Sequence, residues 1–225
     1  MTLLEAIRAR HSVRRYIQRP IEASKLDILR DEIIALNATS GLDIQLVTDE
    51  PRAFDGSTAF SYGKFSGVEN YIVMAGPRDS RAELQVGLYG EQLVLLAQTL
   101  GLNSCWVGLT YKKIPGAFRL REGDIVHCVI ALGYGETQGV QHKLRPLEKL
   151  YEADVVPPDW FISAMEAVQL APSAINQQKY IFLLHRESLV EALPRFSLVG
   201  YTEIDIGIAM CHFEIGAGDA HYKWV

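Results

Sequence analysis

Arg10-His11-Ser12-Val13-Arg14-Arg15-Tyr16 puts three arginines, a histidine and a hydroxyl into seven residues. Guanidinium forks match phosphate oxygens bidentately and keep their charge. Donors without acceptors suit a phosphate and an electron-rich ring better than a core. The plain alternative is a solvated helix end, where cations favour the helix dipole. Lys143 and Arg145 add a second basic pair. Ala171-Pro172-Ser173-Ala174-Ile175-Asn176-Gln177-Gln178 is a small-residue loop rich in amides. No Gly-x-Gly-x-x-Gly or Walker-type run occurs.

Cys105, Cys128 and Cys211 are odd in number and widely spaced, which fits neither a disulfide framework nor a zinc site. A thiol enzyme using Cys105 or Cys211 is a competing reading. Cys105 follows a helix end rather than starting one, so nothing obvious would depress its pKa.

These groups need elements to position them. Thr2 and Glu5 form a capping box for a first helix running to about Arg10, with Leu3, Leu4 and Ile7 as its apolar run. Ser24 is the expected cap of a second helix with Leu26, Leu29, Ile33 and Leu36 on one face. Asn37 to Gly41 reads as loop, Asp43 to Val47 and Tyr71 to Ala75 as strands. Val86 to Leu100 is apolar all round, which predicts a central buried helix ended by Gly101. A short helix is expected near Lys112–Phe118, a strand over Ile125 to Gly133, and a linker at Val155-Val156-Pro157-Pro158. Asp159 caps a helix through Val168, and Tyr180 to Leu184 is a strand. The order helix, small-residue loop, strand, then glycine-opened helix occurs twice, with Gly87 and Gly207 marking the two long helices. The chain therefore reads as one unit, 1–225, built from a first pseudo-repeat over 1–150 and a second over 151–225. Their long helices would pack at a pseudo-two-fold axis. Only the first repeat carries Arg-x-Ser-x-Arg and only the second Pro-Ser-x-x-Asn, so a ligand needing both would bind once.

The composition is that of a globular chain, with 48% hydrophobic and 22% charged residues. A net charge of −5 argues against nucleic acid as partner. The apolar runs fall short of the ~20 residues that span a bilayer. The N-terminus has charges too early for a signal segment, so the expected compartment is the cytoplasm.

The chain resembles the FMN-dependent nitroreductases, and within them the branch with two nitroreductase-like halves in one chain. The resemblance rests on Arg10–Tyr16, Gly90–Gly108 with Gly101-Leu-Asn-Ser-Cys-Trp-Val-Gly108, Leu132-Gly133-Tyr134-Gly135, Lys143-x-Arg145-Pro146 and Ala171–Gln178. Their order is rearranged, since the Pro-Ser-x-x-Asn loop comes early in ordinary members. The resemblance implies an α+β nitroreductase-like fold, with mixed or antiparallel central sheets flanked by helices and an internal pseudo-two-fold repeat. It also implies FMN at an interface, NADH or NADPH as transient donor, and a nitro compound, quinone or similar small-molecule acceptor served by a ping-pong cycle. Arg10, Ser12, Lys143 and Arg145 would meet the FMN phosphate and ribityl chain. His11 would add a bond from backbone or ring, and Arg14 would face flavin N1 and O2. Val107 and Gly108 would face N5, and Pro172, Ser173, Ala174, Asn176 and Gln178 would cover one ring edge. No single catalytic side chain is implied. A pseudo-dimer would be a monomer with one FMN; a homodimer is the alternative. Two departures stand out: Gln178-Lys179-Tyr180 where Gln-Pro-Trp is common, and only Tyr62-Gly63-Lys64 as a stand-in for the segment on the flavin pyrimidine. They motivate a second reading, a flavin storage or sensing protein without turnover.

Overall fold

The computed structural model describes residues 1–55 and 64–225. Two four-stranded sheets lie among five α-helices in this described part. The first sheet takes β1 (Asp43–Val47), β2 (Asn70–Pro77), β3 (Asn103–Val107) and β4 (Asp124–Gly133) in the order β1-β2-β4-β3, antiparallel throughout. Its two central strands, β2 and β4, are buried almost end to end and read as continuous apolar runs for that reason. The second sheet, β5 (Tyr151–Ala153), β6 (Tyr180–Leu184), β7 (Leu189–Pro194) and β8 (Lys223–Trp224), is mixed, with parallel outer pairs around the antiparallel β6–β7 pair. β5, β7 and β8 have no clear sequence signature. Each is short or only partly buried, and gains its identity from pairing with β6 or β7.

The helices are α1 (Leu3–Ala9), α2 (Ala23–Ser40), α3 (Ser80–Thr99), α4 (Asp159–Gln169) and α5 (Thr202–Ala217). The expected capping box is present at Thr2 and Glu5. Only Ala6 and Ile7 of α1 are buried, however, and Leu3 and Leu4 are exposed. Helix α2 starts at Ala23 with Glu22, not Ser24, at its cap. It runs through the expected loop Asn37–Ser40 and stops at Gly41, whose φ of 75° ends it. Asn37 is loop-like in type but helical here, because its amide exchanges two hydrogen bonds with Ile44 of β1. The helix expected near Lys112–Phe118 does not form. Pro115 lacks the N–H a helix interior needs, Gly116 has φ 83°, and the segment turns.

The long central helices α3 and α5 cross at two glycines. A Cβ on Gly207 would lie 2.0 Å from the carbonyl oxygen of Leu84, and one on Gly87 would lie 2.1 Å from that of Ile204. Gly216 makes a similar close approach to Ala164 of α4. Helix α5 therefore touches neighbours on more than one side, and its apolar residues surround it completely. One continuous core holds Ile72, Met74 and Leu93 from before residue 150 together with Phe161, Phe182 and Phe213 from after it. No helix among the described residues is long and apolar enough to cross a membrane.

Candidate functional site

Arg10–Tyr16 is not a helix end in solvent. After α1 the chain turns extended at Arg10, with ψ 123°. It then runs beside β3: Ser12 bridges Ser104, and the Val13 N–H donates to the Ser104 carbonyl at 3.0 Å. Extended backbone sends alternate side chains to one side. The Arg-x-Ser-x-Arg spacing has that period, and Arg10, Ser12 and Arg14 all line one cavity. Val13 and Tyr16 are buried in a core cluster, with the Tyr16 hydroxyl donating to the Val13 carbonyl at 2.8 Å.

The cavity has a volume of about 400 Å³, within the range of small-molecule sites. The first half of the chain contributes Arg10, His11, Ser12 and Arg14, together with Val107 and Gly108 at the end of β3. The second half contributes Pro172, Ser173, Ala174 and Asn176. Ten of the sequence candidates thus meet in one place. Three do not: Lys143, Arg145 and Gln178 lie outside the cavity wall. Lys143 is exposed, and its carbonyl accepts from Asn176 and Gln178 at 2.9 and 3.0 Å. Gln178, 4% exposed, accepts the Arg145 N–H at 3.0 Å, and the Arg145 guanidinium donates to the Gln178 carbonyl at 3.2 Å. These three residues staple the loop from behind.

The loop needs that support. Ile175, Asn176 and Gln178 all have positive φ, which costs non-glycine residues about 1 kcal/mol or more each. Asp205 of α5 supplies the other anchor. Its carboxylate accepts the Ala174 N–H and the Gln177 amide, each at 2.8 Å. It is 2% exposed, lines the cavity, and is pushed up to about 7 by burial against the pull of those two bonds. Neither Asp205 nor its role follows from sequence, because one Asp near a helix start is usually a cap.

Several further residues line the cavity. His142 is partly buried, and its Nε2 has no hydrogen-bond partner among the described residues. Burial, and then the nearby Arg10 charge, hold its pKa below the ordinary imidazole range; His11 is lowered by the same two causes. Tyr201 lies over Gly108, where an added Cβ would come 2.7 Å from the hydroxyl. Trp106 also lines the cavity, while its indole N–H donates to buried Glu91 at 2.8 Å. Phe65 borders the cavity as well. Of the suggested Tyr62-Gly63-Lys64 segment, Tyr62 and Gly63 lie outside the described residues, and Lys64 is exposed. The cysteines are all buried, and burial pushes the Cys105 and Cys211 thiols up, the reverse of what a nucleophile needs.

Two sheets and their helices, with a cationic cavity between residues from both chain halves, define an α+β fold of nitroreductase type. The chain belongs to the nitroreductase family: residues 2–217 match the model described as putative TM nitroreductase. A putative nitroreductase from Thermotoga maritima is similar in structure at a TM-score of 0.68 and 22% identity, over 96% of this chain and 83% of that one. A putative NADH dehydrogenase/NAD(P)H nitroreductase from Bacteroides thetaiotaomicron gives a TM-score of 0.51 at 21% identity, over 66% of this chain and 95% of its own. A putative nitroreductase from Desulfovibrio desulfuricans, solved in complex with FMN, gives 0.51 at 22% identity, over 66% and 94%. Among curated proteins no sequence matches.

Proposed function

We propose that this chain is an FMN-dependent oxidoreductase that passes hydride from NADH or NADPH to a nitro compound, a quinone or a similar small acceptor in a ping-pong cycle. One observation carries the reading: Arg-x-Ser-x-Arg and Pro-Ser-x-x-Asn, from opposite ends of the sequence, line the same cavity. The residues fit the cofactor. Arg10 Nε and His142 Nε2 are buried polar atoms without partners among the described residues, and both belong to lining residues.

When bound, FMN supplies the ring that accepts and returns hydride. The chain's own groups do the rest. Arg10 and Ser12 hold the anionic phosphate end. Arg14 presents a fixed cation to the pyrimidine end, where reduction develops negative charge, and so favours the reduced form. The backbone at Val107 and Gly108 would meet the ring edge, and Gly108 leaves room there for the Tyr201 side chain that a Cβ would strike. Pro172, Ser173, Ala174 and Asn176 cover a ring edge, their backbone fixed by Asp205, Lys143, Arg145 and Gln178. With no dinucleotide-binding motif, a nicotinamide would have no separate site in the sequence and would share this cavity with the acceptor, in turn.

The two chain segments act as pseudo-repeats of a single-chain pseudo-dimer, supported by the reciprocal Gly87–Gly207 crossing of α3 and α5. The protein is then a cytoplasmic monomer with one FMN, and neither nucleic acid nor membrane is its partner. The test is the absorbance spectrum and flavin-to-chain ratio of native protein, followed by anaerobic addition of NADH or NADPH. Yellow protein with about one FMN per chain that bleaches supports the reading. Colourless protein that takes up no added FMN refutes it. Tyr201, crowding Gly108, favours one alternative, a flavin-binding storage or sensing protein. It predicts bound FMN that neither nicotinamide reduces.

A further inference from the structure

Behind Arg10 lies a buried acid–base pair that plays no part in the reading above. Glu91 of α3 and His212 of α5 are both 0% exposed. Glu91 Oε2 accepts from the Trp106 indole, and Oε1 lies 3.0 Å from His212 Nε2. On the other side of the ring, His212 Nδ1 lies 2.9 Å from the Ala167 carbonyl oxygen of α4. A carbonyl oxygen only accepts, so Nδ1 carries a hydrogen. A neutral imidazole has no second one. Nε2 would then be a bare acceptor facing a carboxylate oxygen inside the protein, two acceptors in contact with nothing between them. The geometry requires one more proton there. On nitrogen it makes an imidazolium–carboxylate pair; on oxygen it makes a neutral acid and a neutral imidazole. The net charge of the pair is zero either way.

The charge matters because of Arg10. Its Nε stands 3.8 Å from the same Glu91 Oε1, a long ion-pair contact beyond hydrogen-bond range, and makes no hydrogen bond among the described residues. A lone buried carboxylate would shorten this contact to a hydrogen-bonded ion pair and offset the guanidinium charge in full. We infer that Glu91 and His212 share a single proton, and that this neutral pair leaves the Arg10 charge available to an anionic group in the cavity. His212 is a positioning residue, acting through Glu91 on Arg10 without touching a ligand. Glu91 also fixes Trp106, whose ring forms part of the cavity wall. The inference rests on the flavin reading only in naming the anion as the FMN phosphate.

The first measurement needs no ligand and no variant to fold. NMR of the wild-type chain with nitrogen-15 in its histidines should show, for His212, a protonated Nδ1 and an exchangeable proton held at Nε2 or at the facing Glu91 carboxyl. A bare Nε2 beside an ionised carboxyl overturns the inference. The second measurement compares FMN with riboflavin, which lacks the phosphate. H212Q leaves Glu91 unneutralised and should weaken FMN about tenfold, the size of one charged hydrogen bond, with riboflavin affinity changed less than about threefold. E91Q, and the double variant E91Q/H212Q, remove the carboxylate and should keep the wild-type FMN-to-riboflavin ratio within about threefold. Equal losses for both flavins in H212Q, or no recovery in the double variant, refute the role given to the pair. If the wild type binds neither flavin, the functional reading fails and the NMR result alone decides the shared proton.

Discussion

Replacing Asp205 with Asn probes the anchor that holds the cavity loop. The carboxyl is 2% exposed, accepts two hydrogen bonds of 2.8 Å, and is pushed up from 3.8 to about 7 by burial. In the unfolded chain it titrates near its ordinary value of about 3.9. Between about pH 4 and about pH 7 the folded protein therefore keeps a proton that the unfolded chain has released, so this group's contribution to stability falls as pH rises. Below that window the contribution is fully present; above it, it is lost. At about 1.4 kcal/mol per pH unit of displacement, the full swing is about 4 kcal/mol. Asn cannot ionise, so D205N should lack the swing. Its amide keeps one acceptor oxygen for the Ala174 or Gln177 donor, and loss of the other bond costs about 1–2 kcal/mol at every pH. D205N should thus be less stable than wild type at pH 4 and more stable, by about 2 kcal/mol, at pH 8, with a crossing near about pH 5. Urea unfolding of both proteins across this range measures the difference directly. Curves that stay parallel, or a variant weaker at every pH, would refute the buried-carboxyl argument.

Three other outcomes follow from the geometry. G207A places a methyl 2.0 Å from the Leu84 carbonyl and must push α5 from α3, so it should lower the unfolding free energy measured in urea by about 3 kcal/mol or prevent folding. Q178A removes buried bonds to Arg145, Lys143 and Asn176, and should cost about 2–3 kcal/mol by thermal unfolding; FMN affinity should also fall although Gln178 does not line the cavity. The double variant C105A/C211A should keep flavin binding and turnover, and loss of turnover with flavin retained would revive a thiol mechanism.

Much of the framework was legible because local chemistry and fold agreed. Thr2 and Glu5 make the capping box they predict. Tyr180–Leu184 is a strand at the bounds its apolar run suggests, and Gly101 takes its positive φ after the buried α3. Elsewhere tertiary contacts overrode local type. Asn37 stays helical because Ile44 of β1 uses its amide, and β5, β7 and β8 exist because neighbouring strands complete their hydrogen bonds.

The same division runs through the site. Residue type was enough to single out the Arg10–Tyr16 cluster as an anion site, and the family resemblance added Pro172, Ser173 and Asn176, since guanidinium forks mean the same chemistry wherever the chain places them. Spacing along the chain cannot say which way a side chain faces or what lies behind it. Only the folded backbone placed Lys143, Arg145 and Gln178 behind the cavity loop and not in its wall, brought His142 and Asp205 to the cavity, and set Glu91 and His212 from two different helices against Arg10. Those roles come from burial and pairing between residues far apart in sequence, which only tertiary packing creates.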